Sequence, residues 1–334
     1  MSTIILENVF PADYSTLSTS ALAQLVTESY AMDDVKCTLL VRGVGDTYLV
    51  NSKQGRFILR VYRSSHRSLS NVQAEVELLI TLKQAAVPVS YPIMDHAGAA
   101  IQIIKAIEGQ RCAVLFSYAP GQAERTLNEA QLYIFGQQMA RFHAVSSAVT
   151  ITGDRWTFDK TTTLFDPLVR LKAAFEHDEE NYTWLQNAAR RVDAHLTSLD
   201  TTEFTTGYCH FDFLPKNMHF VGDSITFFDF DFMGRGWLIY DIASFWQHLA
   251  IDVYAGRMTS QAFDDNYGIF LSGYHSHRAI SEQELAAVPY LALGFWLFYM
   301  GFHTTHDQFY NFTQPSQLKV YIAFLKYLET NYWS

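Results

Sequence analysis

Between His210 and Asp231 a polar loop runs into two short β-prone segments, and that order leaves few ways to fold. The loop reads His210-Phe211-Asp212-Phe213-Leu214-Pro215-Lys216-Asn217. Met218-His219-Phe220-Val221 and Ser224-Ile225-Thr226-Phe227-Phe228 follow around Gly222-Asp223, a pair suited to a two-residue hairpin turn. The hairpin carries Asp229, in Phe228-Asp229-Phe230-Asp231, back toward the loop. Asp212 and Asn217 lie five residues apart, so a tight loop aims both at one point. An Asp, an Asn and a second Asp gathered in this way meet the needs of phosphoryl transfer: one carboxylate at the attacking hydroxyl, an amide and a carboxylate on Mg²⁺. Asn217 and Asp229 are hard oxygen donors, and Mg²⁺ keeps several waters rather than demanding a full protein cage. The structural alternative for Asp212 is a loop carboxylate that only accepts backbone N–H bonds.

Composition narrows the setting. A chain of 334 residues is long for one hydrophobic core and comfortable for two. It is 49% hydrophobic and 15% aromatic, which predicts a buried core and excludes general disorder. No run of eighteen uncharged apolar residues occurs; Leu291–Phe302 comes nearest and is too short to span a bilayer. The start, Met1-Ser2-Thr3-Ile4-Ile5-Leu6-Glu7, lacks the basic opening of a signal peptide. Cys37, Cys112 and Cys209 are too few and too scattered for a disulfide framework or a zinc site, so a cytoplasmic protein is expected.

The net charge of −10 argues against nucleic acid as a partner. Residues 1–150 hold twelve acidic and twelve basic side chains, whereas residues 151–334 hold twenty-two against twelve. The second part therefore carries the whole excess, next to the candidate metal residues. Such a field attracts Mg²⁺ and cationic substrates. For the run Glu176-His177-Asp178-Glu179-Glu180 a solubilising surface serves equally well.

Along the chain, Leu17–Tyr30 reads as a helix, and Val35–Arg42, Thr47–Asn51 and Arg56–Tyr62 read as a glycine-turn meander. Asn71–Ala85 is a helix, Ile101–Ile107 and Cys112–Tyr118 a strand pair, and Ala119-Pro120-Gly121 a break. Asn128–His143 is amphipathic, with Leu132, Phe135, Met139 and Phe142 at helical spacing. Helices are expected over Pro167–Glu176, Tyr182–Thr197, Asp241–Tyr254, Ser260–His275, Ser281–Phe302 and Pro315–Asn331. Gly234-Arg235-Gly236 reads as a turn. His143, His219, His303 and His306 lack carboxylate partners at metal-ligand spacing and are expected to be structural or surface histidines.

His210, Asp212, Pro215 and Asn217, the Asp-Phe-Asp stretch, Gly234-Arg235-Gly236 and Tyr240-Asp241-Ile242-Ala243 together resemble the aminoglycoside phosphotransferase and choline kinase superfamily, small-molecule relatives of protein kinases. Phe211 and Leu214 depart from it, standing where those enzymes carry Gly and a second His. The resemblance implies an α+β, two-lobed protein-kinase-like fold. Residues 1–118 would form a nucleotide-binding lobe of antiparallel sheet plus helix, and residues 119–334 a mainly helical catalytic and acceptor-binding lobe. Asp212 becomes the catalytic base, Asn217 and Asp229 the Mg²⁺ ligands, and His210 the residue ordering the loop. Asp231 either ligates a second metal or bonds the loop; if the segment is extended it faces away from Asp229. Asp241 either braces the loop or is an ordinary first-turn Asp.

In the small lobe the resemblance places Gly43, Gly45 and Thr47 over the triphosphate. Arg60 takes the position of a phosphate-binding Lys, with a larger planar fork. Its helix partner is Glu75, with Glu77 as the fallback; otherwise Arg60 and Glu75 are solvated. Backbone groups of Phe116 and Tyr118 would pair with adenine. The implied activity is ATP- and Mg²⁺-dependent phosphorylation of a small-molecule hydroxyl. Leu214, two residues after Asp212 where protein kinases carry Lys, argues against a protein kinase, and the intact Asp212, Asn217 and Asp229 argue against a nucleotide-binding protein without turnover. The acidic second part favours a cationic acceptor. Arg155, Arg170 and Arg235 converging on Asp212 would favour an anionic one; an aromatic wall from Trp246, Trp296 or Tyr299 would favour an amine.

Overall fold

In the computed structural model, which describes residues 12–333, the chain falls into two compact units. The segment read for a leader, residues 1–7, lies outside the described residues. The first unit comprises residues 12–83, Val89–Ala119 and Ile151–Asp154. Its helix α1 (Thr19–Tyr30) starts at Ser18, whose hydroxyl caps the Ala21 N–H. Strands β1 (Lys36–Arg42), β2 (Gly45–Ser52) and β3 (Gly55–Tyr62) follow, then α2 (Leu69–Gln84), β4 (Ile101–Ala106) and β5 (Gly109–Ser117). The sheet is antiparallel in the order β1-β2-β3-β5-β4. Alternation turns Leu59 and Val61 into a core with Tyr48, Val50, Leu115, Leu22 and Val26. Thr47 stands opposite Arg60, and Arg60 opposite Val114.

α2 begins two residues before the expected Asn71 because Ser68 and Asn71 exchange side-chain–backbone bonds, each 3.1 Å. The distant segment Ile151–Asp154 docks on this helix. Glu77 accepts the Thr152 N–H (2.7 Å) and hydroxyl (2.5 Å), and Asn71 donates to the Asp154 carbonyl.

The second unit comprises Gln84–Pro88, Pro120–Thr150 and residues 155–333. Its helices are α3 (Glu129–Ser146), α4 (Asp166–Leu171), α5 (Glu179–Ser198), α6 (Ile239–Tyr254), α7 (Ser260–His275), α8 (Glu282–His303) and α9 (Pro315–Tyr332). Three short strands form a small sheet in the order β6 (Trp156–Phe158), β10 (Gly234–Trp237), β7 (Thr206–Cys209). The expected hairpin is present as β8 (Met218–Val221) and β9 (Ser224–Phe227), with Gly222 at φ 57°. Gly234-Arg235-Gly236, expected as a turn, is instead the central strand of the small sheet. A Cβ at Gly234 or Gly236 would come within 2.6 or 2.8 Å of Phe158, so the glycines serve close packing rather than chain reversal.

α8 is long and apolar enough to cross a bilayer, yet 72% of that stretch is buried within the protein. Apolar residues all round the helix are the mark of a central core helix. α3 and α7 cross closely: a Cβ on Gly136 would lie 1.9 Å from the Phe270 carbonyl oxygen, and one on Gly273 would lie 2.0 Å from that of Tyr133. Backbone therefore faces backbone at the crossing. Gly136→Ala is expected to lower stability by about 1–3 kcal/mol through overpacking. Urea unfolding checks this: the midpoint should fall while the slope stays constant.

Candidate active site

β7 delivers the chain into the loop at Cys209, and the loop's path is set by Asp241. Fully buried in the first turn of α6, Asp241 accepts the His210 N–H on Oδ2 (2.9 Å) and the Phe211 N–H on Oδ1 (2.6 Å). Its Oδ2 also lies 3.0 Å from Nε2 of buried His143, whose Nδ1 is 2.7 Å from the Tyr274 hydroxyl. Burial lowers the His143 pKa against the opposing pull of Asp241, so the ring bridges the two oxygens uncharged. Asp241 thus braces the loop. His210 adds a bond from its Nε2 to the Phe228 carbonyl (3.0 Å), tying the loop to the residue before Asp229.

Phe211 adopts φ 66°, a conformation that costs a side chain roughly 1–2 kcal/mol and that glycine adopts freely. The ring is fully buried and stacks on Phe158 at 3.8 Å, with Phe298 edge-on at 5.0 Å. Aromatic packing thus holds the turn where the resemblance has Gly. Phe213 packs into Phe135, Phe142 and Phe227, fixing the far side of Asp212.

Asp212 is 4% exposed. Asn217 Nδ2 donates to its Oδ2 (2.8 Å) and to its carbonyl (2.9 Å), and Lys216 Nζ lies 3.0 Å from the same Oδ2. One carboxylate oxygen is thereby engaged twice, while Oδ1 accepts no bond among the described residues. Because both partners of Nδ2 are acceptors, the Asn217 amide is oriented with its Oδ1 turned outward. The Lys216 side chain is largely exposed, and against the partial loss of hydration on its inner side Asp212, with Asp229 behind it, raises the pKa. Lys216 was given no role on sequence alone. Its position four residues beyond Asp212 in a one-turn 3₁₀ segment, Pro215–Asn217, is the signal that would have found the pair.

Asp229 is exposed and sits at φ 65°, ψ 61°, followed by a 3₁₀ turn over Phe230–Phe232. The segment is therefore not extended, as its alternation suggested; the left-handed residue turns the chain. Asp231 is 1% exposed, and its carbonyl accepts from Arg155 Nη1 (2.9 Å). Asn217 Oδ1 and the Asp229 carboxylate supply two hard oxygens. That number suits Mg²⁺, which takes its remaining ligands from water and phosphate. No cluster of three His, Cys, Asp or Glu suited to a metal occurs among the described residues.

The remaining candidates separate. Arg155 lies at Asp231, whereas Arg170 and Arg235 line different pockets. Trp296 bonds to Gln247 and packs on Tyr321, and Trp246 packs between Phe263 and Tyr332. Of the three aromatics only Tyr299 adjoins the carboxylates. Its ring is 4.7 Å from Phe232, and burial, then Asp212, Asp229 and Asp231, pushes its hydroxyl pKa well up. His303 stacks on Phe312 at 4.5 Å, and burial followed by the Lys216 charge lowers its pKa to about 4.

In the first unit, Gly43 and Gly45 form the β1–β2 turn with the Gly43 N–H on the Gly45 carbonyl (2.9 Å), and neither needs a left-handed backbone. Thr47 and Arg60 face each other across β2 and β3, both half-buried. Glu75 is 1% exposed, whereas Glu77 is engaged by Thr152, which favours Glu75 as the buried helix carboxylate. Leu115 and Ser117 bond toward Ile93 and Tyr91, so by alternation Phe116 directs its N–H and C=O at Ile58 of β3. The strand ladder thus engages the Phe116 backbone that was assigned to adenine. Tyr118, after the strand, stacks under Arg56 at 4.1 Å.

The chain is also similar to known proteins. A model of the phosphotransferase enzyme family matches residues 36–280. An uncharacterized protein of Deinococcus radiodurans is 34% identical over 294 residues, covering 87% of this chain and 84% of that protein. A homoserine kinase of Rhodopseudomonas palustris (strain BisB5) is 25% identical over 306 residues, covering 85% and 83%. Among solved structures, an amicoumacin kinase in complex with AMP-PNP, Ca²⁺ and Ami superposes with a TM-score of 0.74 at 17% identity, covering 94% of each chain. The fold is accordingly the kinase-like one expected, an antiparallel sheet unit followed by a helical one. Matched over well more than half its length, the chain belongs to the phosphotransferase enzyme family.

Proposed function

We propose that this protein transfers the γ-phosphate of ATP, with Mg²⁺, to a hydroxyl group of a small molecule. The carrying observation is the asymmetry of Asp212, whose Oδ2 is fixed by Asn217 and Lys216 while Oδ1 is open. An acceptor hydroxyl bonded to Oδ1 is oriented for attack and gives up its proton late, as a loose transition state requires. Asn217 Oδ1 and Asp229 would hold Mg²⁺, which neutralises charge on the β- and γ-phosphates when bound. The Asp241–His143–Tyr274 chain keeps the loop in this geometry without touching the reacting atoms. Residues 1–118 would bind the nucleotide, through Gly43, Gly45 and Thr47 at the phosphates and Arg60 with Glu75 behind them. The names of the relatives, a homoserine kinase and an amicoumacin kinase, support a small-molecule acceptor.

Asp212→Asn is expected to reduce kcat by about 10²–10⁴-fold while ATP affinity stays near normal, since the base acts on the acceptor. Unchanged turnover in Asp212→Ala would exclude the role. Asp229→Ala should abolish the gain in ATP affinity that Mg²⁺ provides, and Asn217→Ala should raise the Mg²⁺ requirement; calorimetric titration of ATP with and without Mg²⁺ reads both. Arg60→Lys should retain nucleotide binding, whereas Arg60→Ala should weaken it by about tenfold or more. Normal ATP binding by Arg60→Ala would move the phosphate contact elsewhere on the sheet.

A further inference from the structure

One passage of the chain from the first unit to the second falls at the Asp154–Arg155 peptide bond, and the residues on both sides of it are anchored. On the near side, Ser70 Oγ accepts the Asp154 N–H (2.9 Å) and donates to Asp154 Oδ2 (3.2 Å), while Asn71 Nδ2 donates to the Asp154 carbonyl (2.9 Å). Gln73 Nε2 adds a donor to Glu77 Oε1 (3.1 Å), the oxygen that accepts the Thr152 hydroxyl. Gly153 lies flat on the helix: a Cβ there would come within 2.4 Å of the Ser70 carbonyl oxygen and 2.7 Å of the Ala74 nitrogen. Ser70, Gln73, Ala74 and Glu77 form one face of α2, so Glu75 leaves the helix on nearly the opposite side. On the far side, Arg155 donates to the Asp231 carbonyl (2.9 Å), and Trp156 stacks on Phe232 at 5.6 Å with an interplanar angle of 7°. Asp231 and Phe232 belong to the 3₁₀ turn that follows left-handed Asp229, closed by the Met233 N–H on the Phe230 carbonyl (3.0 Å).

We infer that Thr152–Trp156 is a tie through which α2, the helix of Glu75, and the turn at Asp229 position one another. Its members are positioning residues and touch no reacting atom. The physical reason is the lack of slack. Asp154 and Arg155 are sequence neighbours, with Cα atoms about 3.8 Å apart, and each is fixed to its own side by hydrogen bonds. A flexible linker would absorb a displacement of either end, whereas one taut peptide passes it on. A segment that served only to cover α2 would have no use for the grip on Asp231 and Phe232. The functional half of the inference rests on the phosphotransfer reading above. There the tie makes nucleotide binding at Arg60 and Glu75 and metal binding at Asp229 mutually dependent, with the same factor in both directions.

Hydrogen exchange read by mass spectrometry tests the tie with no ligand present. Thr152→Val removes a single bond, Gly153→Ala lifts the strap from the helix, and Arg155→Gln weakens the grip on Asp231. Both strap variants should speed exchange in α2 and also in the peptide containing Met233 by about 3–10-fold, with α5 unchanged. Arg155→Gln should speed the Met233 peptide, and Arg155→Lys should restore part of the protection. Loosening confined to α2 in the strap variants overturns the inference. Should Gly153→Ala loosen α5 as well, Thr152→Val, which costs only one exposed bond, decides. Calorimetry of ATP with and without Mg²⁺ reads the functional half. Gly153→Ala and Arg155→Gln should each cut the Mg²⁺-linked gain in ATP affinity by about 3–10-fold, and together by less than the product, since both act through one tie. If the exchange coupling holds in a chain that binds no Mg-ATP, the tie stands and the phosphotransfer reading falls. If Mg-ATP binds and both variants leave its Mg²⁺ dependence unmoved, the phosphotransfer reading stands and the tie's part in it is overturned.

Discussion

One buried carboxylate organises the second unit. Asp241 has no contact with water, so its charge is tolerable only because His210 N–H, Phe211 N–H and His143 converge on its two oxygens. The same bonds join α6, which bears Asp241, to the loop after β7, to α3 through His143 and to α7 through Tyr274. Losing any one donor would leave a charge partly unsolvated in the core. The loop geometry is therefore as costly to disturb as the core itself, and Asp212 inherits that rigidity.

The first unit uses the same device. Asp46 is fully buried and is met by Tyr14, by Arg63 (3.5 Å) and by Arg111 Nη2 (2.9 Å). Arg111, also buried, spreads its remaining donors over the Tyr62 carbonyl (3.1 Å) and the Ser15 carbonyl (2.9 Å). A guanidinium suits this task because its five donors lie in one rigid plane. The network sits directly after the Gly43–Gly45 turn, linking β2, β3 and β5 to the chain ahead of α1. The turn assigned to phosphate is thus anchored by charge rather than by apolar packing alone.

The long helices and the five-stranded sheet were legible because their apolar residues repeat over many positions. The hairpin was legible from Gly222-Asp223, and the Asp212–Asn217 pairing from spacing alone. β6, β7 and β10 were not: strands of three or four residues hold too few alternations to register, and β10 carries two glycines that mimic a turn. The left-handed turn at Asp229 breaks the alternation on which the Asp229–Asp231 reading relied. Phe116 shows a similar limit, since backbone pairing leaves no trace in side-chain identity. Asp46 and Arg111 lie sixty-five residues apart and belong to different strands, so only the folded sheet brings them together.

Phe211 has an evolutionary consequence. A glycine there would let the loop take its shape independently of its surroundings. With phenylalanine, the backbone conformation next to Asp212 is guaranteed only while Phe158 and Phe298 keep their places. Residues with no claim on any substrate thereby come under the selective constraint normally reserved for the chemistry. Sequence drift in this lineage should then proceed by compensated pairs at these aromatic positions, or by reversion to glycine, which would release all of them at once.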